Sequence, residues 1–302
     1  MPYPSPITYP SPSLYPGFAG GTGGRLISIG DVVLGQRDAQ DVKWSINKFD
    51  GWEGSPASTA QFDQRARGDG ATSTEGFLTA RVMTIEGLIT APSLAALDVS
   101  RDRLRASVPL GLSPMLVSES STVRNAAVKR QGAVMIDYLT DTIAKYSVLV
   151  TAPDPRQYGD LISESTLLPF SSGGLVRPST WPRTWTGVSD TGVIRVNNPG
   201  NTYAPVWLRI DGPIPAGGWT VTHVGKKQSL TFATALALGA GEFVTVDMDR
   251  REVLAQGQAP RSGYVTSRGW FSLDPGDNDI AFSAQNYSPT ALLTVTTKPA
   301  WS

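Results

Sequence analysis

Residues 191–212 read TGVIRVNNPGNTYAPVWLRIDG, and this stretch decides the fold of the second half of the chain. Two short apolar runs flank a segment in which asparagine and glycine tolerate left-handed backbone angles and Pro199 fixes one corner. The stretch therefore predicts a strand, a tight turn and a second strand.

The same alternation of short strands and turn residues continues to the end of the chain. Turn signals recur roughly every 8–12 residues, a spacing typical of an antiparallel β-sandwich. Strands are predicted at 193–196, 206–210, 219–224, 228–232, 242–247, 252–255, 270–273, 279–283 and 292–296.

The first half of the chain combines strands with one helix. Residues 26–34, LISIGDVVL, predict a hairpin that turns at Gly30-Asp31. A helix is predicted from Pro92 to about Ala106, because proline suits the first helical turn and apolar residues recur on one face. The residues on that face are Leu94, Leu97, Arg101 and Leu104. Other strands are predicted at 42–46, 77–89, 115–119, 123–129, 133–139 and 144–151, and a loop at 62–71.

These patterns divide the chain into four segments. Residues 1–24 are a proline- and glycine-rich N-terminal arm, and residues 25–159 are an α+β domain. Residues 160–187 are a linker or crossover with one or two extended pieces, because proline, serine and glycine cluster there. Residues 188–302 are the sandwich. The predicted fold class is mainly β with one helix in the first half: an N-terminal α+β domain followed by an antiparallel β-sandwich.

Composition narrows the range of functions. The 302 residues carry a formal net charge of +0, which disfavours nucleic-acid binding because phosphate neutralisation requires a basic excess. The chain has no cysteine, so disulfides and thiolate metal sites are excluded.

Its longest small-apolar run, 233–240, is far shorter than a membrane span of about 20 residues. The N terminus lacks the pattern of a signal peptide. We expect a soluble protein made in the cytoplasm, without membrane insertion.

Catalytic residues do not form a recognisable set. His223 is the only histidine and lies among valines in a predicted strand, so a structural role is expected. The glutamates are scattered along the sequence, and none lies in a recognisable sequence pattern of a glycosidase site with paired carboxylates. Residues 274–279, DPGDND, lack the spacing of a calcium loop and predict a turn about Pro275-Gly276. The predicted sets of catalytic, metal-binding and cofactor-binding residues are therefore empty.

Aromatic residues give the remaining binding candidates. Trp181 and Trp185 lie in the loop-like linker and are candidates for contact with a glycan or a partner. Tyrosines and a phenylalanine of the N-terminal arm could dock on a neighbouring subunit, since Tyr-Pro steps favour an extended backbone. The residues of this inter-subunit candidate are Tyr3, Tyr9, Tyr15 and Phe18. A disordered tail is the alternative.

Four segments, taken in order, resemble the distal tail proteins of long-tailed bacteriophages (siphoviruses), particularly those of actinobacterial hosts. They are 148–159 (VLVTAPDPRQYG), 191–212, 247–253 (DMDRREV) and 270–282 (WFSLDPGDNDIAF). In the family, a P-G-x-N-x-I step enters a strand of the C-terminal sandwich, and Pro275, Gly276, Asn278 and Ile280 match it. The resemblance extends from about Arg25 to Trp301.

This resemblance implies a structural minor tail protein of the virion, without enzymatic activity or cofactor. The first domain would form a ring, six-fold as in the family, between the tail tube and the baseplate hub. The second would be a galectin-like jelly roll. Implied partners are further copies of this chain, the tail tube protein, baseplate hub or tail-fibre proteins, and the tape-measure protein. The alternatives are a carbohydrate-binding adhesin that contacts host cell-wall glycans, and a wall hydrolase.

Overall fold

A computed structural model describes residues 24–120, 122–172 and 188–302. The chain divides into two compact units. The first comprises residues 1–160 together with Ser302, and the second comprises residues 161–301. Both consist mainly of antiparallel strands, and the described helix of more than one turn lies in the first unit, which confirms the predicted fold class. None of the described helices has the length and hydrophobicity needed to span a bilayer.

The first unit is built from short strands and one helix. Its strands are β1 (Leu26–Ile29), β2 (Val32–Leu34), β3 (Lys43–Asp50), β4 (Phe62–Gln64), β5 (Ala71–Ser73), β6 (Arg81–Thr90), β7 (Ser113–Glu119), β8 (Thr122–Arg130), β9 (Met135–Thr140), β10 (Ile143–Ala152) and β11 (Gln157–Tyr158), and its helix is α1 (Leu94–Ser107).

The main sheet of the first unit runs in the order β2-β1-β7-β8-β10-β6-β3. The segment after β2 then pairs with β3: Gly35 N donates to Trp44 O over 2.8 Å, and Trp44 N donates to Gln36 O over 2.9 Å. The hydrogen-bonded path therefore closes on itself, which protects the edges of β2 and β3. Two short strands lie off this path, β9 on β10 and β11 on β8.

Alternating side chains of β6 and β10 fill the core of this unit. Met83, Ile85 and Ile89 of β6 are buried, as are Val148 and Val150 of β10. Because the two strands pair over ten positions, their inward residues form one continuous apolar layer.

Helix α1 packs on this core through Leu97 and Leu104, as the sequence predicts. Leu94, however, is 47% exposed. Ser93 is the N-cap, and its hydroxyl accepts from Ala96 N over 3.2 Å, so Leu94 is the first helical residue and lies at the open end. Leu94, although it lies on the predicted apolar face of the helix, is therefore not part of the core.

The second unit is a sandwich of two sheets. Its strands are β12 (Ile162–Leu167), β13 (Phe170–Ser172), β14 (Val188–Asp190), β15 (Val193–Asn198), β16 (Val206–Asp211), β17 (Trp219–His223), β18 (Gln228–Phe232), β19 (Phe243–Asp247), β20 (Glu252–Ala255), β21 (Ala259–Pro260), β22 (Val265–Arg268), β23 (Gly276–Ala284), β24 (Leu292–Thr297) and β25 (Ala300–Trp301). One sheet runs β12-β24-β16-β19-β20-β21 and the other β15-β23-β17-β18-β22, while β13 pairs with β14.

Residues 191–212 form the predicted strand, turn and strand, but their two strands belong to different sheets. β15 pairs with β23, and β16 pairs with β19 and β24. Inward residues such as Leu208, Ile210 and Phe282 are fully buried. The galectin-like connectivity implied by the resemblance stays a prediction.

Several elements differ from the sequence-based expectation, and three of them are instructive. Residues 62–71, predicted as a loop, contain β4 and lead into β5. Residues 162–167, assigned to the linker, form β12 and pair with β24 along their whole length. Residues 270–273 form no strand, although Leu273 is buried and bridges to Ala204. β4 and β12 are polar and lie at an edge. They therefore lack the apolar alternation that marks a half-buried strand.

Candidate assembly surface

The binding residues predicted from the sequence lie outside the described residues. Trp181 and Trp185 fall in the segment 173–187, and Tyr3, Tyr9, Tyr15 and Phe18 fall in the segment 1–23. Their roles in glycan, partner or inter-subunit contact stay predictions. The described part of the chain contains no group of three or more histidine, aspartate or glutamate residues that could hold a metal ion.

His223 is a buried structural residue of β17. Its Nδ1 accepts from Lys226 N over 3.2 Å, so Nε2 carries the proton and donates to Asn278 Oδ1 over 3.0 Å. Its ring also meets Phe271 edge-on, with the ring centroids 5.4 Å apart. Burial is the main cause that lowers the pKa of His223, because desolvation disfavours the charged imidazolium.

The turn at 274–279 is held by its own side chains. Asn278 Nδ2 donates to Asp274 O and Gly276 O, each over 2.9 Å, while its Oδ1 accepts from Asp274 N over 3.0 Å. The carboxylate of Asp274 pairs with Lys226, and that of Asp279 pairs with Arg195. Asn278 thus joins the turn at 274–279 to His223. These contacts support a structural role for both the turn and the histidine.

Two described tryptophans of the second unit, Trp207 and Trp219, make contacts within that unit. Trp219 is buried and stacks on Phe232, with ring centroids 3.7 Å apart. Trp207 is half-buried, and its indole nitrogen donates to Asp247 over 3.1 Å. Because Trp219 is buried, it offers no open ring face of the kind that stacks on a sugar.

The first unit, in contrast, carries two exposed features suited to protein contacts. The first, which we call the projecting hairpin, spans residues 57–79 between β3 and β6. It is held by pairs from Ala57–Thr79 through Thr59–Phe77 to β4 and β5. None of its residues is buried, and only Ala60, Ala71 and Thr79 are even half-buried. Two large apolar side chains stand in solvent on this hairpin: Phe62 is 70% exposed and Phe77 is 64% exposed.

The tip of the projecting hairpin is a glycine turn. Gly68 and Gly70 have φ values of +107° and +94°, and a Cβ on either would meet open space. Arg65 and Arg67 lie just before this turn and are exposed. Neither forms an ion pair within the described residues.

The second feature, which we call the β9 edge, is the outer side of β9. This strand pairs only with β10 among the described strands, so its other backbone edge has no strand partner. A register shift next to Leu139 forms a bulge. Met135 and Leu139 are each 59% exposed, and Asp137 and Asp141 are exposed as well.

The β9 edge is fixed to helix α1 through Tyr138. The Tyr138 hydroxyl donates to Asp98 over 2.6 Å and accepts from Arg101 over 3.2 Å. The bond to Asp98 is the main cause that raises the pKa of Tyr138. Arg103 pairs with Asp38 at 2.8 Å. These helix arginines therefore meet acidic groups of their own unit.

Residues 200–301 match the SPP1 Dit family, described as the C-terminal domain of a siphovirus-type tail component. The match confirms the sequence-based resemblance to siphovirus tail proteins, and with it the prediction that the chain is a component of the virion tail. The resemblance to the tail proteins of phages with actinobacterial hosts in particular stays an expectation.

The fold of the chain also matches solved structures. The crystal structure of the SPP1 Dit protein, called a paradigm of the hub adsorption apparatus in phages that infect Gram-positive bacteria, matches with a TM-score of 0.66 and 11% identity. The match covers 92% of this chain and 99% of that one. Two structures of the phage p2 baseplate in its activated conformation, with Sr and with Ca, match with a TM-score of 0.48 and 10% identity, covering 90% of this chain and 97% of theirs. No curated protein sequence matches the chain.

Sequence reasoning about this tail component missed the projecting hairpin. The signal that could have found it is the pair Phe62 and Phe77, which flank a polar, glycine-containing stretch. A loop seldom carries aromatic residues at both ends unless they pack on something.

Proposed function

We propose that this chain is the distal tail protein of a siphovirus, a structural component at the tail tip. It forms a ring that joins the tail tube to the baseplate hub and the host-recognition apparatus. The observation that carries the proposal is the match of residues 200–301 to a siphovirus tail component. The shared fold with the SPP1 Dit protein over 92% of the chain supports extending the proposal to the first unit.

The first unit is the ring-forming part in this proposal. The projecting hairpin and the β9 edge are different surfaces of one unit, and both expose large apolar side chains. Different surfaces that fit each other give head-to-tail contacts, which close into a ring when the rotation between copies fits. The ring has six copies, as in the resembled family.

The proposed role is architectural and involves no enzymatic step. The two features of the second unit most suggestive of chemistry, His223 and the turn at 274–279, are engaged with each other. The partners in this proposal are further copies of the chain, the tail tube protein, baseplate hub or tail-fibre proteins, and the tape-measure protein. The N-terminal arm, 1–24, adds a strap between neighbouring subunits.

The mass of the assembled particle tests this proposal. One chain has a mass of 32.2 kDa, and native mass spectrometry over a range of protein concentrations counts the copies in each species. We expect a closed species of six copies, without a ladder of larger ones. A chain that stays monomeric at every concentration, or that stops at a dimer, contradicts the ring.

A further inference from the structure

We propose that residues 15–23 of the N-terminal arm dock in a groove of their own first unit and so anchor the arm beside β3. The groove, which we call the β3 groove, has a volume of about 430 Å³ and is lined by Gly24, Arg25, Gly35 and residues 43–49. As an account of the strap between subunits, the inference rests on the proposed function. It names the surface that holds the root of the strap, from which the earlier arm residues extend to a neighbouring copy.

The β3 groove forms where β3 parts from the segment after β2. A bridge between Arg37 and Lys43 and the two backbone hydrogen bonds of Trp44 hold the start of β3 against that segment. Beyond Trp44 no strand pairs with this side of β3 among the described residues, and a bulge between Ile46 and Lys48 shifts its register with β6. The open side of β3 therefore carries backbone groups to which an extended segment can bond.

Two apolar side chains leave part of their surface open in the β3 groove. Ile46 and Phe49 line it, and both are half-buried while they pack against the core of the first unit. The guanidinium of Arg25 lies over the Phe49 ring, 5.5 Å from its centroid. An aromatic side chain docked here would remove this apolar surface from water, which favours its binding.

The charges around the β3 groove favour an uncharged occupant. Arg25 pairs with Glu53 and with Glu119, and Lys48 pairs with Asp50. A charged occupant would compete with these pairs, whereas residues 1–23 carry no charged side chain. The arm offers aromatic and small residues instead, which gain from apolar contact and leave the ion pairs intact.

The arm is long enough for its last part to fill the β3 groove. Gly24 is itself part of the lining, so the arm begins at the groove. Phe18 lies six residues before Gly24 and Tyr15 lies nine before it. These lengths reach about 20 Å and about 30 Å in an extended chain. Residues 43–49 of the groove span about 20 Å as a strand, so both side chains can reach its whole length.

The distribution of proline and glycine selects the same part of the arm. Residues 17–24 hold five glycines and no proline, so every backbone N–H group there can donate to β3, and the missing side chains permit a close approach. Residues 2–16 hold six prolines, each of which lacks this donor. The open side of β3 therefore suits the glycine-rich end of the arm better than its proline-rich beginning.

The spacing of the aromatic residues gives the arm one binding face. Tyr3, Tyr9, Tyr15 and Phe18 are separated by multiples of three residues. Tyr-Pro steps favour polyproline geometry, which has three residues per turn, so the sequence predicts all four on the same side of the arm. With Tyr15 and Phe18 in the β3 groove, Tyr9 and Tyr3 follow at intervals of about 19 Å and stay available to a neighbouring copy.

Cysteine cross-linking tests the position of the arm, because the chain has no cysteine of its own. The variant Ala19→Cys/Asn47→Cys keeps Phe18 and places the second thiol on an exposed residue of the β3 groove. Under mild oxidation it should form a disulfide within one chain, which denaturing mass spectrometry detects as a linked monomer. The matched control is Ala19→Cys/Lys129→Cys, because Lys129 is exposed on β8, at least three strands from β3 in either direction along the closed path. The control should leave both thiols free.

Thiol labelling tests the role of Phe18. In the variant Ala19→Cys, docking should slow the reaction with a thiol reagent about tenfold relative to Ser5→Cys, which lies outside the docked segment. Adding Phe18→Ser to Ala19→Cys should restore the fast rate, because the arm then lacks a side chain that fills the groove. Circular dichroism should not change in these variants, since every substitution lies in the arm.

The outcomes separate this proposal from the proposed function. A linked dimer in place of the linked monomer would show that the β3 groove holds the arm of another copy, and the anchor within one chain would be wrong. Failure to link at Asn47, with equal labelling of Ala19→Cys and Ser5→Cys, would overturn the anchor as well. Native mass spectrometry of the wild type decides the ring independently. Rings formed without an anchored arm leave the proposed function intact, and a linked monomer from a chain that never assembles leaves the anchor but not the strap.

Discussion

Arg81 joins three separate segments of the first unit through one guanidinium. Its Nε donates to Pro155 O over 2.8 Å, and its Nη1 lies within hydrogen-bond distance of Gly51 O, Trp52 O and Gly54 O. The side chain is fully buried, and burial lowers its pKa. Three of these four acceptors, the carbonyl groups of residues 51–54, lie just before the projecting hairpin.

Replacing Arg81 by methionine should therefore destabilise the first unit by roughly 3 kcal/mol, since four carbonyl groups lose one buried charged donor at once. Urea denaturation followed by fluorescence measures the change. Arg37→Met removes an arginine from an exposed i,i+4 pair and should cost less than about 1 kcal/mol. Equal losses in the two variants would show that the buried hydrogen bonds contribute little.

His223 should give the second unit a pH-dependent stability. Its pKa is lowered in the folded state, so the unfolded chain binds the proton first as the pH falls. The stabilisation is complete above the unfolded pKa of about 6.5 and is lost as the pH falls through the folded value. As the pH falls from about 7.5 to 5.5, the His223→Gln variant should lose less of its free energy of unfolding than the wild type loses. Thermal unfolding of both proteins at the two pH values measures this difference. If the melting temperatures of the variant and the wild type fall by the same amount, the effect is excluded.

These two residues show the limit of sequence reading at this scale. The structural role of His223 follows from its valine neighbours in a short alternating strand. The role of Arg81 does not, because its acceptors come from positions 51–54 and 155 and meet only when the unit folds. The predicted site residues Trp181 and Trp185 stay untested, since they lie outside the described residues.

At the scale of elements, β6 depends on Gly87 for its contact with β3 and β10. A Cβ at this position would lie 2.6 Å from the hydroxyl oxygen of Tyr146 and closer still to the carbonyl oxygen of Ser45. The Tyr146 hydroxyl crosses above Gly87 and donates to that carbonyl over 3.0 Å. Gly87 thus leaves room for a buried hydrogen bond between neighbouring strands.

Gly87→Ala should cost roughly 3 kcal/mol, because backbone and a fully buried tyrosine leave no space for a methyl group. Gly132→Ala is the control: its added methyl would come no closer than 3.7 Å to Leu149, and the change should stay within about 0.5 kcal/mol. Denaturant midpoints of the two variants provide the measurement. A tolerated Gly87→Ala would mean that β3 and Tyr146 shift freely.

Elements with a strong local pattern could be predicted from the sequence. The hairpin at 26–34 turns where Gly30 adopts a φ of +58°, and helix α1 begins and ends within two residues of its predicted bounds. The projecting hairpin and β12 could not, because polar edge strands are ordered by pairing with distant segments and carry no periodic signal of their own.

At the scale of the whole molecule, β12 makes the boundary of the second unit testable. It pairs with β24 at six positions from Ile162–Thr297 to Leu167–Leu292, and Leu168 after it is buried. A fragment of residues 161–302 should therefore fold and melt cooperatively. The fragment 188–302, which follows the sequence-based boundary, lacks β12 and should melt roughly 5–10 °C lower. Identical melting temperatures would show that β12 is dispensable.

The division into two mainly β units, with a helix in the first, was predictable because turn residues and apolar alternation are local. The proposed assembly of copies follows only from the family resemblance. Surfaces that meet another chain are exposed in a single copy, and their apolar residues resemble the scattered exposed residues of any protein.

The arrangement of copies in the assembled particle tests the central claim most directly, and electron cryomicroscopy of the full chain measures it. The account predicts a closed ring of six copies in which the first units contact each other. An open filament, a two-fold dimer or a particle held together through the second units would contradict it.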